Sequence, residues 1–315
     1  MLKKLPESEF TFHYWKSDVI AGITVGIVAL PLALAFGITT GVGGGPGLVT
    51  AIIAGFLAAL FGGSRFQVSG PTGAMTVVLV PIVATHGSQI LVPLGVGAGL
   101  ALILSSILKL GSHISRIPWS VMEGFTLGIA MVIGLQQLPL ALNARKASGT
   151  HTVEVAWGTL KNAWNDGISI SAILILLASL AIKFSTPHLL KTLRLRVFIP
   201  GSFVTIVIMT LVCWNLDVPS VGKLPSGIFS GKFNQLSLHE MTIFAFTGAV
   251  LAVAALGGIE SLLSGRVADQ MAHHRELSRM RPNQELFGQG VATIAASLFG
   301  GMPATGAIAR TSVNV

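Results

Sequence analysis

Charge is scarce in this sequence. Asp, Glu, Lys and Arg make up 10% of its 315 residues, against about 25% in a typical soluble domain. Cysteine is scarcer still, since Cys213 stands alone inside an apolar run. One cysteine excludes an internal disulfide, a cysteine-rich zinc site and CxxC redox chemistry, and reads as a small buried apolar residue. No short apolar core with a small-residue cleavage site opens the chain, which begins MLKKLPESEFTFHYWKSD, so no cleaved signal peptide is expected. The glycine-rich GVGGGPG at 41–47 lacks the Gly-Lys-Ser/Thr of a phosphate loop and reads as a tight connection. His273 and His274 sit in a basic loop with no ligand partners at useful spacing. With no metal cluster, no Ser/His/Asp grouping and no paired intramembrane carboxylates, an enzyme is not expected.

What the sequence has in abundance is apolar runs. It is 52% hydrophobic with a mean hydropathy of +0.77. Runs of membrane-span length recur along the whole chain, the pattern of a polytopic helical membrane protein. Spans are expected at 19–40, 47–63, 71–86, 90–110, 120–139, 168–184, 198–215, 243–264 and 287–301, with a last helix starting near Pro303. Net charge is +8, and the basic residues lie in short loops between spans. That placement argues against nucleic acid and for a topology signal. With the N-terminus inside, fourteen Lys and Arg fall on the inner side and five on the outer, leaving Arg310 within the last helix. The last helix has too few residues to cross a bilayer before the sequence stops at TSVNV, so a longer protein is expected.

Two stretches repeat. FGGSRFQVSGPTGAM from Phe61 and FGGMPATGAIAR from Phe299 both follow Phe-Gly-Gly with Pro, Thr, Gly and Ala. AGITVGIVALPLALAFG from Ala21 and TGAVLAVAALGGIESLLSG from Thr247 share Gly and Ala-Leu positions. The offsets are 238 and 226 residues. Seven spans precede the second copy, so it runs the opposite way through the membrane, as inverted repeats of secondary transporters do. This divides the chain into an N-terminal arm at 1–18, a first seven-helix repeat at 19–242 and a partial second repeat at 243–315.

Each copy breaks a helix at membrane depth, where backbone groups must be satisfied or line a cavity. Phe66–Gly70 alternates apolar and polar residues and precedes a proline, which favours a short strand-like segment. Pro71 suits the first turn of a helix. The N–H groups of Thr72, Gly73 and Ala74 then form an anion site backed by the helix dipole, with Ser69 and Thr72 adding hydroxyls. The second copy offers Thr305, Gly306 and Ala307 in the same way. Among intramembrane ionisable residues, Glu260 stands in LGGIESLLSG. It can exchange protons, or bind Na⁺ with Ser264 one turn along. Arg310 lies about 10 Å beyond Pro303 along a helix and can add positive potential to the cavity. Glu123, near a span start, reads as interfacial.

These residues resemble the SulP family, the sulfate-permease-type anion transporters that include prestin and pendrin. DVIAGITVGIVALPLALAFG is similar to the family's first helix and FGGSRFQVSGPTGAMTVV to the segment leading into its third. GGIESLLSGRVAD is similar to the eighth, and FGGMPATGAIARTSVNV to the start of the tenth. The resemblance implies fourteen spans in two inverted repeats of seven, with core and gate domains. It implies an anion held between helices three and ten, elevator-like transport, homodimers, a multi-pass inner-membrane location and a cytoplasmic STAS domain after the last span. Phe36 would line the anion site. Leu32 stands where many sulfate-type members carry Gln, and Ala309 where some animal members carry Ser. Both remove polar contacts and leave bicarbonate or a small dicarboxylate open beside sulfate. The function implied is a secondary transporter of small anions, with no cofactor beyond H⁺ or Na⁺ as coupling ion. An anion channel and a nucleobase permease of the same architecture are the rivals. The visible tenth-helix segment has no Asp or Glu, which counts against the nucleobase reading.

Overall fold

The computed structural model describes residues 15–116, 119–149, 152–192, 201–214, 216, 241–272 and 279–315. His273, His274 and most of the N-terminal arm lie outside them. Helices occupy each expected span: α1 (Trp15–Thr40), α2 (Gly44–Phe61), α3 (Gly73–His86), α4 (Leu91–Ile107) and α5 (Trp119–Gln136), followed by the single turn α6 (Leu138–Ala141). After an added helix α7 (Thr152–Asp166) come α8 (Ile170–Thr192), α9 (Gly201–Cys213), α10 (Ile243–Met271), α11 (Pro282–Leu298) and α12 (Ile308–Asn314). Among the described residues, five stretches are long and apolar enough to cross a membrane: Asp18–Thr40, Gly44–Phe61, Ser88–Ile107, Ile170–Thr192 and Ile243–Met271. α3, at 14 residues, is only about 21 Å long, a half-crossing by length.

Helix α7 was not expected from the sequence. TVEVAWGTLKNAWND is too polar to span, and its apolar residues recur at helical spacing along a single face.

The interior forms where the two repeats cross. Met75 and Leu79 of α3, Leu94 and Leu102 of α4, Val253 and Leu262 of α10 and Met302 share one apolar cluster. α11 lies along both α4 and α2. It approaches α4 closely because Gly99 and Gly290 face each other, where a Cβ on either would meet the other's carbonyl oxygen. Lipid offers no hydrophobic drive between helices, so such close small-residue packing supplies much of the cohesion.

Two strands of two residues each complete the crossing. β1 (Ser69–Gly70) pairs antiparallel with β2 (Thr305–Gly306), Ser69 opposite Gly306 and Gly70 opposite Thr305. This pairing satisfies extended backbone that bare lipid could not. It also fixes which residues are equivalent in the two copies. Ser69 corresponds to Thr305 and Gly70 to Gly306, an offset of 236 rather than the 238 of the Phe-Gly-Gly motifs. The proline therefore precedes the strand in one copy and follows it in the other. Pro303 is not the partner of Pro71, and the last helix begins at Ile308 rather than near Pro303.

The loops that feed the strands are clamped reciprocally. The hydroxyl of Thr50, on α2, accepts from the N–H of Met302 at 2.7 Å. The buried carboxylate of Glu285, on α11, accepts through Oε2 from the N–H groups of Gly63 at 2.8 Å and Ser64 at 3.0 Å. Each of these helices thus holds the loop before the strand of the opposite repeat.

Candidate anion site at the crossing of the two repeats

Thr72 is the N-cap of α3, in extended backbone, and its hydroxyl accepts from the N–H of Met75 at 3.3 Å. The helix starts at Gly73, so Pro71 lies just outside the first turn in which it was expected. A hydroxyl cap satisfies a donor that proline at N1 would leave open, and this displaces the start. The N–H groups of Gly73 and Ala74 open the helix and have no acceptor within it. A Cβ on Gly73 would fall against the side chains of Ile133, on α5, and Phe36, on α1. Phe36 and Ile133 thus pack beside the first residue of this helix, and Ile133 is a neighbour the sequence did not reveal.

The second copy differs from expectation. Gly306 donates its N–H to Ser261 Oγ at 2.9 Å, and Ala307 donates to the carbonyl of Val68 at 2.9 Å. Thr305 and Gly306 are strand residues and Ala307 is the N-cap. Their N–H groups do not open α12; those of Ile308, Ala309 and Arg310 do. Because β1 and β2 are antiparallel and each runs into a helix, the starts of α3 and α12 meet near the same crossing and face opposite ways.

Glu260 joins the two copies. Its Oε2 accepts from the hydroxyl of Thr305 at 2.7 Å and from that of Thr72 at 3.0 Å. The two hydroxyl oxygens are 3.1 Å apart. Two hydroxyls bring two protons to three close oxygen–oxygen edges. A carboxylate leaves the Thr72–Thr305 edge without a donor; a third proton or a cation completes it.

Arg310 is 2% exposed. Its Nη2 donates to the carbonyl of Pro71 at 2.6 Å, while Nη1 is buried without a hydrogen-bond partner among the described residues. Ser264 does not reach Glu260's carboxylate in this arrangement. Its hydroxyl pairs with that of Thr311 at 3.1 Å. Ser69 faces α11, where its hydroxyl accepts from Gln289 Nε2, and Gln289 in turn donates to Glu285 Oε1 at 2.9 Å.

Several contributors went unnoticed in the sequence. Thr311 Oγ1 accepts from the N–H of Val68 at 3.1 Å, and Asn314 Nδ2 donates to the carbonyl of Phe66 at 2.8 Å. With Arg310, one face of α12 thus satisfies the backbone that leads into α3. The signal was available as a polar pair at i, i+3 in an intramembrane segment. Glu285 and Gln289, four residues apart, carried a similar mark.

Comparison with known proteins settles the family. Residues 15–315 match the Sulfate permease family. The chain belongs to this family. It is 37% identical over 318 residues to the putative sulfate transporter YvdB of Bacillus subtilis, covering 97% of this chain and 57% of that protein. It is 32% identical over 319 residues to the bicarbonate transporter BicA of Picosynechococcus sp., covering 96% and 54%. The chain spans little more than half the length of these relatives. Among solved structures, the transmembrane domain of a cyanobacterial bicarbonate transporter BicA superimposes with a TM-score of 0.82 at 31% identity, over 96% of this chain and 77% of that one. The murine Solute Carrier 26 family member A9 anion transporter, in its inward-facing state, gives a TM-score of 0.78 at 15% identity, over 96% and 53%, a likeness of fold alone. The sulfate permease family is one of transporters rather than enzymes, and the chain is a multi-pass membrane protein.

Proposed function

We propose that this chain forms the anion-binding part of a secondary active transporter for small anions such as sulfate, bicarbonate or a small dicarboxylate. The anion sits between the starts of α3 and α12. The N–H groups of Gly73 and Ala74 meet it from one side and those at the start of α12 from the other, with Phe36 walling the space. Helix starts suit anions because their N–H groups are free and the dipole is favourable. Arg310 adds charge from behind α3. The relatives named as sulfate and bicarbonate transporters support the substrate class.

The observation that carries the reading is the position of Glu260. It holds hydroxyls from both repeats at the point where the half-helices meet. A carboxylate there opposes an anion unless a proton or Na⁺ accompanies it. Binding of the two is thereby linked, which is what symport requires. In this reading the N-terminus is cytoplasmic, as the basic-residue count supports, and the full-length protein is a homodimer in the inner membrane.

Uptake of labelled sulfate, bicarbonate and fumarate into proteoliposomes of the full-length protein, with pH and Na⁺ varied, tests this. Saturable uptake of one of these anions that rises with a proton or Na⁺ gradient is expected. Non-saturating flux indifferent to both gradients would identify a channel and overturn the reading.

A further inference from the structure

Helix α7 stands apart from the crossing of the two repeats. Its inner face is built of small and polar residues. Ala156, Thr159 and Ala163 are buried, and the helix packs against α5 and α6. Three side chains tie it to the segment before it. Thr159 Oγ1 accepts from the N–H of Ala147 at 3.2 Å, Asn162 Nδ2 donates to the carbonyl of Arg145 at 3.1 Å, and Asp166 pairs with the Arg145 guanidinium at 3.1 Å. The opposite face is apolar and uncovered among the described residues. Val153, Trp157, Leu160 and Trp164 follow one another at helical spacing, and the two tryptophans are 62% and 79% exposed. Lys161 stands at the edge of this stripe with its ammonium 5.8 Å from the Trp157 ring centre.

Position identifies what covers the stripe. Only Gly167, Ile168 and Ser169 separate α7 from α8, a helix of membrane-span length. The end of α7 therefore lies at the boundary where that span leaves the hydrocarbon. The helix is too polar to enter the bilayer, and at 15 residues it is about 22 Å long. Exposed Leu174 and Leu177 on α8 and Leu127 and Met131 on α5 continue the apolar surface into the membrane. Tryptophan favours the head-group level, where its ring is half in hydrocarbon and its N–H in water. A lysine beside it places a cation at phosphate depth. A stripe four side chains long falls short of the roughly 800 Å² per partner that a standard protein interface needs.

We propose that α7 is an in-plane membrane anchor. Its Val153–Trp157–Leu160–Trp164 face lies in the head-group region of the leaflet on the side away from the N-terminal arm, and Lys161 meets lipid phosphate. The anchor fixes the depth of α5, α6 and α8 in the bilayer. The Thr159, Asn162 and Asp166 contacts hold the helix so that this face cannot roll inward.

The test uses the full-length protein with Trp157 and Trp164 as its sole tryptophans, every other one replaced by Phe. It is placed in phosphatidylcholine–phosphatidylglycerol vesicles whose lipids are brominated either near the head group or near the chain end. Emission quenched at least about twofold more by the shallow bromine is expected for a helix seated at the interface. Should the multiply substituted protein misfold, Trp157→Phe with Trp164→Phe in the otherwise unaltered protein must remove that shallow-quenched fraction. Water-like emission quenched by iodide and not by bromine overturns the proposal. So does stronger quenching by the deep bromine, and so does protection from both quenchers, which would mean that protein covers the stripe.

Discussion

The guanidinium of Arg310 donates to the carbonyl of Pro71, 2.6 Å away, so α12 holds the residue that precedes the cap of α3. The charge belongs to one repeat and the backbone it grips to the other. Arg310→Lys keeps a charge but lacks the rigid fork that grips Pro71 with one nitrogen and presents a second. Anion affinity is expected to fall about tenfold in Arg310→Lys, and further in Arg310→Met, since a charge-assisted bond is worth about 1.5–3 kcal/mol. Anion titration by calorimetry on the purified full-length protein measures it. Equal affinity in all three proteins would remove Arg310 from the site.

Glu260→Gln keeps an acceptor for Thr72 and Thr305 but removes the charge and the proton it can carry. Gradient-driven uptake is expected to disappear, while anion binding remains detectable. Uptake measured across a pH and Na⁺ series decides this. An unchanged dependence on either ion would show that Glu260 has no part in coupling.

A side chain at Gly73 must displace Ile133. Gly73→Ala is expected to weaken anion binding by about 1–3 kcal/mol through overpacking. Adding Ile133→Ala should restore most of it, a coupling expected only of residues in contact. Additive losses would place Ile133 elsewhere. Gly73→Val is expected to block binding altogether.

The two clamps should differ in strength. Glu285→Ala leaves the N–H groups of Gly63 and Ser64 without their acceptor and is expected to cost about 2–6 kcal/mol, since each buried donor left unpaired costs about 1–3 kcal/mol. Thr50→Ala leaves the Met302 N–H open and removes the 3.2 Å donor to the Met302 carbonyl, and is expected to cost about 1–3 kcal/mol. Thermal melts in detergent, with Thr50→Ser as the conservative control, rank them. A smaller shift for Glu285→Ala than for Thr50→Ala would contradict the ranking.

The spans were legible because the apolar runs are long and charge is confined to loops. The strand-like character of FQVSG was legible from its alternation and the following proline. What failed was the register of the second copy. Pro71 and Pro303 look alike in a one-dimensional comparison, yet strand pairing places them on opposite sides of the strand. That is a tertiary fact about Ser69 and Thr305. Ser264 shares a helix face with Glu260, but its partner Thr311 sits on another element, which helix spacing cannot reveal. Helix α7 was missed because a search for spans passes over a helix that is apolar on one face only.

The pairing of Ser69–Gly70 with Thr305–Gly306 sets an order of events during synthesis. The first strand emerges some 236 residues before its partner exists. Until then its N–H and C=O groups have no ladder, at a depth where water is absent. The early helices must therefore wait in the bilayer with an open seam, which the insertion machinery has to cover. Only when residue 306 arrives can that seam close. The half-helix at Gly73 is thus among the first segments made and the last to be finished.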